Sequence, residues 1–79
     1  GPEYVGPAED WDEEVVRGSF ESGEFSVLYV KDGKLAALLS VGRSDDLDAA
    51  TTIIAAGGDL RAAPAELADP EQPLLLQDA

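Results

Sequence analysis

The 79 residues make one domain at most, and a chain this short buries only about 60% of the surface that its unfolded form exposes, so there is room for a single core. With no cysteine and no histidine, disulfides, thiolate chemistry, imidazole bases and the common zinc sites are excluded, and carboxylate oxygen is the side-chain donor left for a metal. Seventeen acidic residues against five basic ones give a formal charge of -12, which argues against binding nucleic acid or an anionic membrane surface, and no run approaches the roughly 18 apolar residues of a membrane span.

The chain opens Gly1-Pro2 without a methionine, which reads as the scar of a tag-cleaving protease. The natural segment is therefore expected to start near Glu3, to form one domain over 3–79, and to have been cut from a longer protein. No leader is visible, and the expected location is the cytoplasm.

Residues 3–7, EYVGP, are a short strand candidate ended by Gly6-Pro7. In EDWDEE every residue of 9–14 except Trp11 is acidic, but the run lacks the alternating oxygen ligands and turn glycine of a calcium loop, so it reads as a solvated loop. Trp11 is different, because a large aromatic among charges finds an apolar surface to cover. Two such surfaces stand open: the domain's own core and a partner. Residues 12–19, DEEVVRGS, read as a strand with Val15 and Val16 on opposite faces and Arg17-Gly18 closing it, and residues 20–23 as a turn.

Residues 24–41, EFSVLYVKDGKLAALLSV, are two apolar runs joined by Asp32-Gly33, a strong signal for a two-residue hairpin turn. Folding there pairs Val30 with Leu35, Leu28 with Ala37 and Val27 with Leu38. One face then carries Ser26, Leu28, Val30, Leu35, Ala37 and Leu39; the other carries Phe25, Val27, Tyr29, Ala36, Leu38 and Ser40. Both are largely apolar, so the hairpin belongs in the middle of a sheet with something packed on each side.

Ser44 suits an N-cap, with Asp45, Asp46 and Asp48 favourable in the first turn. A helix is predicted over 45–56, with Leu47, Ala50, Ile53 and Ile54 on one side and Gly57-Gly58 as its stop. The aspartates read as helix-start charge rather than as an acid and base pair. Residues 64–68, PAELA, give a short helical turn for which Ala63 is a poor cap. Pro70 and Pro73 break the stretch after that turn, and Leu74-Leu75-Leu76 is too apolar for a solvated tail.

The sum is an α+β domain: a small antiparallel β-sheet meander followed by one long and one short helix packed on one face. A helix with one apolar face covers one side of the sheet. The side left open is either Phe25, Val27, Tyr29 and Leu38 or Leu28, Val30, Leu35 and Leu39, and the candidate partner surface is taken as Trp11, Phe25, Val27, Tyr29 and Leu38. Left uncovered, such a face should make isolated domains associate as homo-oligomers or bind a dye that reports apolar surface. No catalytic, cofactor-binding or metal-ligating residue is assigned. The glycines do not follow a strand in the Gly-x-Gly-x-x-Gly pattern, and the hydroxyl side chains have no histidine or apt lysine beside them.

Taken in order, Glu3-Tyr4-Val5-Gly6, Trp11-Asp12-Glu13, Val15-Val16-Arg17-Gly18, Gly23-Glu24-Phe25, Tyr29, Asp32-Gly33, Val41, Arg43, Asp46-Leu47, Ile54, Pro64, Leu67-Ala68-Asp69-Pro70 and Pro73-Leu74 resemble one family's tail. It is the C-terminal domain of the FAD-dependent, NAD(P)H-linked ferredoxin and rubredoxin reductases that serve Rieske dioxygenases and bacterial cytochromes P450. The resemblance covers essentially the whole segment. It implies an antiparallel sheet followed by helices, packed against the flavin and nicotinamide domains of a parent chain. That parent would bind FAD and NAD(P)H and pass electrons to an iron-sulfur partner, while this segment holds neither cofactor. The sequence departs from the family's pattern at Gly42-Arg43-Ser44-Asp45-Asp46, where an Asn-Arg-Pro-Arg type stretch is common, and at Thr51-Thr52, where arginines are frequent. A free-standing acidic binding module of the same fold is the alternative.

Overall fold

The computed structural model describes residues 2–60 and 64–74. Four strands, β1 (Glu3–Val5), β2 (Glu13–Ser19), β3 (Glu24–Lys31) and β4 (Lys34–Val41), precede α1 (Ser44–Ala55) and the single turn α2 (Pro64–Leu67). The sheet is antiparallel, in the order β1-β4-β3-β2. β2, β3 and β4 are the expected meander. β1 lies outside it, on the far edge of β4, so residues 6–12 must cross the sheet to reach β2.

The hairpin turns where the sequence places it. Asp32 and Gly33 both have positive φ, 52° and 77°, the requirement of the favoured two-residue turn. Val30 pairs with Leu35 as expected, but the register then shifts. Tyr29 faces Ala37, Leu28 faces Leu38 and Val27 faces Leu39, each one residue away from the pairing read from the sequence. The cause is a β-bulge: Leu35 and Leu38 both point to the helix side, with Ala36 as the extra residue between them. Leu38 and Leu39 therefore exchange faces relative to the expectation, and Ala37 moves with them.

On the helix side the sheet presents two cross-strand rows. One is apolar, Val5, Leu38, Leu28 and Val15; the next is polar, Glu3, Ser40, Ser26 and Arg17. α1 lays Ala49, Ala50 and Ile53 over the apolar row, with Leu47 and Ile54 at its margin; Val30, Leu35, Leu67 and Leu74 complete the core. Leu74, in the stretch read as too apolar for a solvated tail, is 4% exposed and helps close the core; Leu75 and Leu76 lie outside the described residues, as does Ala63.

The ends of α1 are fixed differently from one another. At its C-terminus the Gly58 N–H donates to Ile53 O (2.8 Å) and the Gly57 N–H to Ile54 O (3.1 Å), the paired bonds of a glycine stop. The Gly58 carbonyl then accepts from Leu35 N (2.7 Å), which ties the helix end to β4. At the N-terminus the cap position is Arg43, not Ser44, and no side chain caps it. Ser40 holds that corner instead: its Oγ donates to Arg43 O (2.9 Å) and accepts from Arg43 N (3.3 Å).

Candidate functional site

Two sites grow out of this frame, one on each side of the sheet. The first is the polar row beneath the start of α1. Arg17 follows Val15 on the inward face of β2 and is 1% exposed. All five of its N–H donors are used. Nε and Nη2 grip the two oxygens of Asp46 (3.1 and 3.2 Å), Nη1 donates to Leu67 O (2.7 Å) and Asp69 O (3.2 Å), and Nη2 also donates to Gln72 O (2.7 Å). Asp46 in turn accepts from Arg43 Nε (2.7 Å) and Ser26 Oγ (3.0 Å), and Arg43 Nη2 donates to Pro70 O (3.0 Å).

Burial by itself would raise the Asp46 carboxyl. The hydrogen bonds from Arg17 and Arg43, the Arg17 charge and the Ser26 hydroxyl outweigh it, and the group is held below its ordinary value of 3.8. Asp46 is therefore a buried counter-ion, which corrects its reading as mere helix-start charge. Beside it lies an open depression of about 520 Å³ between α1 and residues 70–74, lined in part by Asp45, Asp48, Thr52 and Glu71. Among the described residues every buried side-chain nitrogen and oxygen has a partner, so no buried, unpaired group is aimed into that depression. Nor does any group of three histidine, cysteine or acidic side chains there suit a metal ion. Arg17 and Asp46 bind the fold together, and Arg17 has no donor left for chemistry.

The second site is the face α1 leaves uncovered. Pairing in register sets Tyr4, Leu39, Val27 and Val16 in one continuous row across all four strands. Tyr4 and Val16, at the two edges, are 51% and 37% exposed; Val27, at the centre, is 7% exposed. On the hairpin-tip side of this row the 6–12 link crosses. Gly6 rests so close to the sheet that a Cβ there would meet Ala37 Cβ at 2.5 Å, which excludes any side chain. Trp11 then packs edge-on against Tyr29, centroids 4.8 Å apart, while its Nε1 donates to Glu14 Oε2 (2.9 Å). Burial first, and then the charge of Glu14, raise the Tyr29 phenol above 10.0, so it stays neutral. On the other side of the row Phe20 packs edge-on against Phe25 at 4.6 Å, and remains 65% exposed.

Of the five residues read from the sequence as a partner surface, Trp11, Phe25, Val27 and Tyr29 share this face. Leu38 does not: it is fully buried under α1, because the bulge turns it over. Tyr4, Val16, Phe20 and Leu39 complete the face and were absent from the sequence assignment. Alternation gave Val16 its side of β2; the positions of Tyr4 and Leu39 depend on a register that the apolar run 35–39 does not display. Among the described residues no helix is long and apolar enough to cross a membrane.

A family model described as the reductase C-terminal domain matches residues 3–76. Among solved structures, the chain is similar to the ferredoxin reductase for the CYP199A2 system from Rhodopseudomonas palustris, at 31% identity and a TM-score of 0.76 over 86% of this chain and 16% of that one. It is also similar to Fdr9, at 31% identity and a TM-score of 0.75 over 96% of this chain and 19% of that one. No curated protein matches it. The chain thus spans less than a fifth of either solved relative.

Proposed function

Because the chain belongs to the reductase C-terminal family, we propose that it works as the non-catalytic C-terminal domain of an FAD-dependent, NAD(P)H-linked ferredoxin-type reductase. In that role it packs against the flavin and nicotinamide domains of a longer chain and supports electron transfer to an iron-sulfur acceptor. The observation that carries this reading is the family match over nearly the whole chain, and the two ferredoxin reductases of like fold support it.

The cofactors of such a reductase do not fit the described residues. A dinucleotide phosphate needs backbone N–H groups at a helix start free of competing negative charge. The start of α1 instead carries Asp45 and Asp46, and the side chains nearest it are committed to the Arg17 cluster. FAD and NAD(P)H would therefore be held by the other domains. The alternative is a free-standing acidic binding module, and one feature favours it: the helix-side core is closed by this chain's own Leu67 and Leu74.

The test is to express the complete natural reading frame, record its flavin spectrum, and measure NAD(P)H-dependent reduction of a ferredoxin with and without residues 3–79. The reading expects a flavoprotein whose electron transfer fails when the domain is removed. A natural polypeptide that binds no flavin would favour the module.

A further inference from the structure

We infer that the uncovered sheet face docks a protein surface whose apolar centre is bordered by lysine and arginine, presented by the remainder of the reductase chain. The proposal rests on the reductase reading for who presents that surface. The apolar half of the argument is the row Tyr4, Leu39, Val27 and Val16, extended by Phe20 and Phe25. It joins the most exposed large apolar side chains among the described residues into one patch. Scattered apolar side chains need no explanation, but an in-register row across a whole sheet does.

The electrostatic half comes from what surrounds the patch. The crossing link brings Glu9, Asp10 and Asp12 to one border, where Glu14 joins them, and Glu21 follows Phe20 in the chain at the other end; all five are exposed. Among the described residues little offsets them. Each described cation is already tied to a carboxylate: Arg17 and Arg43 to Asp46, Lys31 to Asp10, Lys34 to Asp59. Only the Lys31 bond neutralises a border residue. A second copy of this chain would bring two acidic borders together within a Debye length of roughly 8 Å, which disfavours self-docking. A basic border complements the charge and leaves the patch free to be buried. More than four-fifths of each solved relative lies outside the region this chain matches, ample chain to present such a surface.

Trp11 stands where the acidic link meets the patch and is the only tryptophan, so its emission reports what docks. The experiment titrates the 79-residue chain with two tryptophan-free amphipathic helical peptides, leucine on one face of each, lysine on the other face of one and glutamate on that of its twin. The leucine–lysine peptide should shift the Trp11 emission, with affinity falling about tenfold or more from low to physiological salt, and the leucine–glutamate peptide should not bind. Val16→Glu combined with Phe20→Glu, both at exposed positions, should weaken binding by about tenfold or more while leaving the thermal melt near that of the parent. Neutralising Glu9, Asp10, Asp12 and Glu14 to their amides should flatten the salt dependence.

Equal binding of the two peptides, or binding indifferent to the Val16 and Phe20 changes, overturns the proposal. So does a homodimer in sedimentation that those changes dissolve, which would make a second copy the occupant. None of these readouts involves flavin or electron transfer, so failure of the reductase reading and failure of this docking chemistry are separately visible.

Discussion

The two faces of the sheet bury apolar side chains of similar kind, yet they reach opposite ends. On the helix side even the charges are sealed in: Arg17 and Asp46 are within a few per cent of complete burial, and each is met by a full set of partners. On the other side the centre of the row is nearly buried while both its edges, with Phe20, stay in solvent. The difference is one of closure. α1 and the 64–74 segment extend across the inner face, whereas the 6–12 link crosses the outer face at one end only. Finished packing and available surface are thus separated by one layer of strands.

The sharpest way to break this contrast is Arg17→Met. It leaves Asp46 buried with only Arg43 and Ser26, and frees the carbonyls of Leu67, Asp69 and Gln72. Losing one partner of a buried pair costs about 3–5 kcal/mol, against a total stability on the order of 4–12 kcal/mol for a chain of this length, so urea melts should show a largely unfolded protein or one close to it. Next in size is Leu38→Ala, which opens a cavity under α1 and should cost about 2–4 kcal/mol in the same melts. Val16→Ala, an exposed residue of the other face, should change stability by less than about 1 kcal/mol; an equal loss at the two sites would mean the faces are not distinct.

Acid gives a further separation. The Asp46 carboxyl is depressed in the folded chain, so its ionisation contributes stability that is fully present above the ordinary value of 3.8 and is lost as pH falls below it toward the lowered folded value. Melts across that window should show a decline that Asp46→Asn flattens, starting from a lower stability; a decline of unchanged slope in the variant would assign acid sensitivity to other carboxylates. A modest effect is expected at the hairpin tip. Gly33→Val forces a β-branched residue to positive φ, should cost about 1 kcal/mol or somewhat more, and should leave both faces intact.

Much of the fold was legible because each local signal was strong and had one meaning. Asp32-Gly33 marked the turn, Gly57-Gly58 the helix stop, and the spacing of Ala50 and Ile53 the buried side of α1. What escaped was whatever depended on distant residues. Leu35-Ala36-Ala37-Leu38-Leu39 is apolar throughout, so no alternation reveals that a bulge at Ala36 turns Leu38 inward. Three residues of β1 could not announce that they pair with β4. Arg17 and Asp46, 29 positions apart, each had an ordinary local explanation, a strand end and a helix start. Only the pairing of Arg17 with Ser26, directly below α1, makes them a pair. For the candidate face, alternation put Phe25, Val27 and Tyr29 on one side of β3, Trp11 was singled out only as an aromatic among charges, and Leu38 was lost to that same bulge.

The arginines hold the 64–74 segment in a particular currency. Arg17 and Arg43 reach it at the carbonyls of Leu67, Asp69, Pro70 and Gln72, and at none of its side chains. Carbonyl oxygens are common to every amino acid, so the grip is blind to spelling: the segment is held by its path. Glu71 and Gln72, whose side chains face water and enter no bond to the arginines, are therefore free to drift between related chains or to be rewritten by design. Leu67 and Leu74 are not, because they also fill the core. A stretch that looks like a loose acidic connection is in effect an anchored frame whose lettering can change while its position stays fixed.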